Sequence, residues 1–184
     1  AGYQYVSEAI ADPAIYKLIH GLMTEEAMPT LPMSRATLEA YRDQLLARFA
    51  NPALKHRTWQ IAMDGSQKLP QRLLGTIRDR LRANTPIDGL ALGVAAWMRY
   101  VTGVDEKGQA IDVRDPLRDE LRARADHAGM IAERLAPALL GFEKVFGQDL
   151  PADPRFTTAV TAALDSLIRH GSKKTYENFR SAHP

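Results

Sequence analysis

The chain has 184 residues, of which 45% are hydrophobic and 25% charged, with no cysteine and a formal net charge of +2. That profile excludes a disordered tail, a disulfide scaffold and thiolate metal sites, and predicts one soluble domain over 1–184 held by buried apolar surface. The longest apolar stretch, Ile87 to Val101, is broken by Asp88 and Arg99 and is shorter than the roughly 20 residues of a bilayer span. With no basic-then-apolar leader, a cytoplasmic setting is expected.

Helix starts are marked by a capping side chain followed by proline, which needs no amide hydrogen bond at the first helical position. Asp12-Pro13 is the first. After a loop from Met28 to Met33, Ser34 caps the next, with Met33 and Leu38 placed for a hydrophobic staple. Leu38, Tyr41, Leu45 and Phe49 then recur at helical spacing. Asn51-Pro52 opens a helix expected to stop near Gly65. Another is expected around Leu69 to Gln71, with Pro70 in its first turn and Leu69, Leu73, Ile77 and Leu81 on its buried face.

The Ile87 to Thr102 segment reads as a buried helix, with Gly89, Gly93 and Ala96 admitting a neighbouring backbone. A loop from Val104 to Arg114 precedes Asp115-Pro116, a further start. The pattern from Ala128 to Phe146 contains Pro137, which is expected to kink or divide it. After a loop from Gly147 to Ala152, Asp153-Pro154 begins a helix carrying Phe156, Val160, Ala163 and Leu167 inward, closed by Gly171. No segment alternates as a strand does, so the fold class is all-α.

Several chemistries lack their signatures. No two glycines are separated by one residue, so the pyrophosphate cradle of a dinucleotide fold is missing. His20, His56, His127, His170 and His183 show no metal-ligand spacing, and no metal is expected. Adjacent Glu25 and Glu26 diverge on a helix and read as a charge pair rather than an acid-base couple. Trp59 and Trp97 read as core.

The richest polar segment runs from Asn51 to Arg72. Leu54, Thr58 and Ile61 are expected to pack inward, and Arg57, Gln60 and Asp64 to share another helical face. Ser66 and Lys68 are placed at a helix-to-helix corner. A lysine beside a Gly-Ser turn presents its ammonium to a carboxylate, phosphate or hydroxyl with little backbone motion. The plainer reading of the same corner is a helix terminus. Between Lys55 and Arg82, seven basic residues face two aspartates; the Arg78, Arg80, Arg82 run reads as solvated surface, alternate residues pointing apart.

Arg48-Phe49-Ala50-Asn51-Pro52 and Asp64-Gly65-Ser66-Gln67-Lys68-Leu69-Pro70 resemble the C-terminal domain of the mannitol dehydrogenase and fructuronate reductase family. So do Ala1-Gly2-Tyr3-Gln4-Tyr5, Val94 to Tyr100, Gly103 to Gly108 and Asp115-Pro116, in the family's order. The resemblance implies a helical domain similar to that of 6-phosphogluconate dehydrogenase, partnered in the full enzyme by an N-terminal Rossmann domain that binds NAD or NADP. It implies a ketose or keto-hexuronate interconverted with its polyol or aldonate, without a catalytic metal. The family's Lys-x-x-x-x-Asn-x-x-His motif does not occur here and is expected upstream of Ala1, so the chain, opening on Ala1 rather than methionine, reads as excised and by itself inactive.

Within this chain the resemblance assigns substrate contact to Lys68, with Gln60, Arg57 and Asp64 as further candidates. Mannitol-specific relatives carry arginine where Gln60 stands, which favours a hexuronate or another polyol. Neither a nucleic-acid nor a membrane partner is implied. The competing class is a basic helical binding module for nucleic acid, motivated by the Lys55 to Arg82 surplus; the third is a dimerisation domain.

Overall fold

Three of the four proline-marked sites are helix starts or lie within two residues of one, and the local hydrogen bonds show why. Asp12 Oδ1 accepts the Ala14 amide at 2.8 Å, and α1 (Val6–Ala11) gives way to α2 (Pro13–Gly21). Ser34 Oγ accepts the Thr37 amide at the start of α3 (Arg35–Ala50). Such caps satisfy amides that have no partner within the helix. The computed structural model describes the backbone of residues 2–182 and the side chains of 2–179. Among these residues the fold is all-α, without a strand and with two isolated β-bridges, Tyr5 with Arg57 and Val104 with Ala110. They fall into two compact units, one of 2–61 with 172–182 and one of Ala62–Gly171.

In the first unit, Val6, Ile10 and Leu46 form a small core with half-buried Ile19, Met23 and Phe49 packed on it. A π segment, Leu22–Ala27, and a 3-10 turn, Met28–Thr30, lead toward α3. The buried face of α3 is Leu38, Arg42 and Leu46, rotated from the expected one, and Tyr41 is exposed. Arg42 turns inward because its guanidinium finds acceptors: Nη1 donates to Thr24 Oγ1 and Nε to Asp43 Oδ1, both at 2.8 Å. Met33 is 55% exposed, while Leu38 is buried.

Asn51-Pro52 opens only a 3-10 turn, Pro52–Leu54, which ends where Lys55 takes a left-handed φ of 47°. The helix resumes as α4 (Thr58–Ala62). No continuous helical face therefore links Leu54 to Ile61. Leu54, Trp59 and Ile61 are exposed, which overturns the reading of these side chains as inward-packing.

The second unit is built on a larger apolar core, with Leu74, Ile77, Val94, Leu135, Phe146 and Phe156 fully buried. Its first helix, α5, runs from 65 to 82 as an α turn (Gly65–Leu69), a π segment (Pro70–Leu74) and a further α stretch (Gly75–Arg82). Pro70 cannot donate to the carbonyl four residues back, and the wider π turn accommodates the missing bond. The helix thus starts four residues before the expected Leu69. It lies across α6 (Asp88–Val101), where a Cβ at Gly93 would come within 3.2 Å of Leu73 Cδ1.

Two helices follow, α7 (Arg118–Ala128) and α8 (Ala132–Leu140), packed against each other. Pro137 sits inside α8 without dividing it. The breaks fall instead at Gly129, with φ 70°, and at Gly141. Short α9 (Glu143–Phe146) and α10 (Asp149–Ala152) precede α11 (Pro154–Ala182), which Gly171 interrupts with φ 74° and ψ 170°. Only glycine adopts that conformation without strain. Trp97 meets Phe146 edge-on and Phe146 meets Phe156 at a tilt through the core, at centroid separations of 6.0 and 6.3 Å.

Candidate functional site

The segment bearing the predicted residues turns sharply after α4. Asp64 takes a left-handed conformation, φ 55° and ψ 32°, which aspartate tolerates better than most residues. Its carbonyl accepts the Gln67 and Lys68 amides at 3.1 and 2.9 Å and so starts α5. Gly65 is the residue that lets this turn close on α6. A Cβ there would sit 2.1 Å from Nε1 of Trp97, itself buried.

Lys68 lies in the first turn of α5, half-buried, with Nζ donating to the Met63 carbonyl at 2.6 Å. A cation at a helix N-terminus opposes the helix dipole by a few tenths of a kcal/mol. The Met63 carbonyl offsets that and fixes where the ammonium stands. Local placements that go against propensity concentrate at functional positions.

Residues 112–117 brace the turn. The Asp64 amide donates to the Arg114 carbonyl at 2.8 Å. The Ser66 amide donates to Asp115 Oδ2 at 2.8 Å, and Ser66 Oγ to Asp115 Oδ1 at 2.6 Å. The Leu117 amide donates to that same Oδ1 at 2.9 Å. The Arg114 amide in turn donates to Oη of Tyr100 on α6 at 3.1 Å. Burial, reinforced by the Asp112 and Asp115 carboxylates, raises the Tyr100 phenol above its ordinary range against the opposing Arg114 hydrogen bond, so it stays protonated at neutral pH.

Arg57 and Gln60 belong to the other unit and engage each other. The Arg57 amide donates to Gln60 Oε1, and the Gln60 amide to the Arg57 carbonyl, both at 3.1 Å. The Arg57 guanidinium stands 5.3 Å from the Tyr5 ring centroid. This stretch is pinned to the start of the chain: Val6 N donates to His56 O at 2.9 Å, and Thr58 Oγ1 to Tyr3 O at 2.7 Å. Arg57 is in an isolated bridge, Gln60 in α4 and Asp64 in the left-handed turn, so the three do not share one helical face. The predicted residues are brought together as two pairs, Arg57 with Gln60 and Asp64 with Lys68.

Sequence reasoning missed Asp115 as the brace of this turn, because its Asp-Pro dipeptide signals a cap. It also read the Arg78, Arg80, Arg82 run of α5 as solvated surface, which holds for Arg82. Arg78 instead donates to Asp149 and to the Phe146 carbonyl, and buried Arg80 donates to the Pro86 carbonyl at 2.5 Å. Among the described residues no cluster of three or more His, Asp or Glu side chains could hold a metal ion, and no helix is long and apolar enough to cross a membrane.

Comparison with known proteins shows the family of the chain. The chain is 49% identical over 175 residues to D-mannonate oxidoreductase of Escherichia coli K12, a match covering 94% of this chain and 35% of the relative. It is 48% identical over 178 residues to the uncharacterized oxidoreductase YeiQ of the same organism, covering 97% and 36%. Among solved structures, the Pseudomonas fluorescens mannitol 2-dehydrogenase in ternary complex with NAD and D-mannitol superposes with a TM-score of 0.89 at 27% identity, over 100% of this chain and 36% of that one. The chain therefore spans about a third of the length of the relatives it matches. The model of the mannitol dehydrogenase C-terminal domain matches residues 1–168, and the chain belongs to that family.

Proposed function

We propose that residues 1–184 act as one functional domain, the substrate-side part of a longer oxidoreductase that interconverts a keto-hexuronate or ketose with its aldonate or polyol, using NAD or NADP. The observation that carries the reading is the Lys68 ammonium, fixed at 2.6 Å from the Met63 carbonyl on a turn tied to Asp115 and seated on Trp97. A fixed cation of this kind suits the carboxylate of a hexonate and also accepts a polyol hydroxyl as a partner. The identity to D-mannonate oxidoreductase favours the hexonate.

The described residues do not fit a dinucleotide cradle. They contain no strand, and no two glycines of the chain are separated by one residue. In this reading the nicotinamide cofactor is bound mainly by an N-terminal Rossmann domain of the longer protein, which also carries the proton-transfer lysine and the asparagine and histidine that polarise the carbonyl. The present domain contributes specificity through Lys68, with Asp64 of the same unit as a secondary contact. A site that hydrogen-bonds several substrate hydroxyls rejects sugars that leave those bonds unmade.

The test is steady-state oxidation of D-mannonate and of D-mannitol with NAD and NADP by the full-length protein and its Lys68→Ala variant, followed by reduced-cofactor absorbance. Lys68→Ala is expected to lower kcat/KM about a hundredfold. An unchanged kcat/KM removes Lys68 from the site, and preference for D-mannitol overturns the hexonate reading.

A further inference from the structure

We propose that Asp115 is a positioning residue for the reaction. In this view its carboxylate sets the place of Lys68, from a point 47 residues further along the chain, without touching substrate. The inference rests on the substrate role assigned to Lys68 above.

Both carboxylate oxygens of Asp115 are committed. Oδ2 accepts the Ser66 amide, and Oδ1 accepts both Ser66 Oγ and the Leu117 amide, at distances between 2.6 and 2.9 Å. Ser66 is buried and lies two residues before Lys68 in the same helical turn. The neighbouring Arg114 carbonyl holds the Asp64 amide, so two consecutive residues grip the turn at both of its ends. Trp97 closes the third side against Gly65, and Tyr100, one turn further along the same helix, holds the Arg114 amide. Charge-assisted hydrogen bonds are the stronger kind, and preorganised sites depend on such support behind the groups that touch substrate.

A merely capping aspartate would need only the Leu117 amide. The two bonds to Ser66 add nothing to the start of α7 and act wholly on the Lys68 turn. Asparagine is isosteric but cannot satisfy the set. With its oxygen at the Oδ1 position, the amide group confronts the Ser66 N–H. With the oxygen at the Oδ2 position, it confronts the Leu117 N–H. Either way at least one backbone N–H loses its acceptor.

The experiment is a double-mutant cycle in the full-length protein, measured as kcat/KM for D-mannonate, with thermal unfolding recorded for each variant. Asp115→Asn is expected to lower kcat/KM about tenfold, since small misplacements of a binding group cost one to two orders of magnitude. Ser66→Ala, which keeps the amide bond, is expected to lose less. In the Lys68→Ala background, Asp115→Asn is expected to change kcat/KM by less than about twofold, as coupled residues are non-additive. Undiminished loss in that background, or no loss with Lys68 present, overturns the positioning role while leaving Lys68 in the site. No effect of Lys68→Ala, or no D-mannonate turnover at all, overturns both. Should Asp115→Asn fail to fold, the Ser66→Ala cycle with Lys68→Ala decides by the same criteria.

Discussion

The two units are made of the same helical material and are stabilised differently. In Ala62–Gly171 nine of the fourteen residues of α6 are buried, and whole aromatic rings are enclosed. In the unit of 2–61 with 172–182, α2 buries no residue fully, and α3 buries an arginine among two leucines. There the Asp12 and Ser34 caps, the 2.5 Å bond from Tyr3 Oη to Asp12 and the Arg42 bonds to Thr24 and Asp43 share the work with a small core. Lys68 stands on the unit with the denser core, where a turn can be held rigidly; Arg57 and Gln60 stand on the other, held by backbone pairing.

The contrast predicts different sensitivities to cavities. Phe156→Ala, in the enclosed core, is expected to cost about 3–5 kcal/mol in urea denaturation. Leu46→Ala is expected to cost about 2 kcal/mol, the low end of its class, because half-buried Ile19, Met23 and Phe49 are able to relax into the space. Equal losses would erase the distinction between the two cores.

The difference also governs what was legible in the sequence. Segments whose burial is apolar and periodic, such as α6, read directly; in the Leu69, Leu73, Ile77, Leu81 series the π segment buries Leu74 in place of Leu73. The rotated face of α3 did not, because Arg42 is buried for the sake of Thr24 and Asp43, partners that a hydrophobic pattern cannot announce. At the candidate site, the stop before Gly65 was legible from the glycine. The true start of α5 was not, since Pro70 read as a first-turn proline when a π segment accommodates it. Asp115 looked like a cap and is one, for Leu117, but its bonds to Ser66 depend on tertiary folding. Trp59 and Trp97 look alike in sequence, yet only Trp97 has a glycine turn to pack against.

A smaller effect sharpens the polar side of the comparison. Ser34→Ala removes the acceptor of the Thr37 amide at the start of α3. It is expected to cost about 1 kcal/mol, the typical worth of such a cap. Urea denaturation against the parent protein measures it. No loss would mean that α3 is held by its buried face alone.

The smallest effect concerns an exposed ion pair on the apolar-cored unit, and its sign is fixed by titration. Arg78 grips Asp149 through Nε and Nη2, and this hydrogen bonding holds the Asp149 carboxyl down at about 2 against an ordinary 3.8. A depressed carboxylate contributes stability that is complete above the unfolded value, near pH 4, and that is lost as the pH falls toward 2. Because the Asp149 side chain is 59% exposed, solvent screening keeps the contribution below about 1 kcal/mol. Asp149→Asn is therefore expected to be slightly less stable than the parent at pH 7, with the gap closing between pH 4 and pH 2. A gap that stays constant over that range would assign the loss to altered packing at the start of α10, and would mean that even the surface polar contacts of this unit act through shape rather than charge.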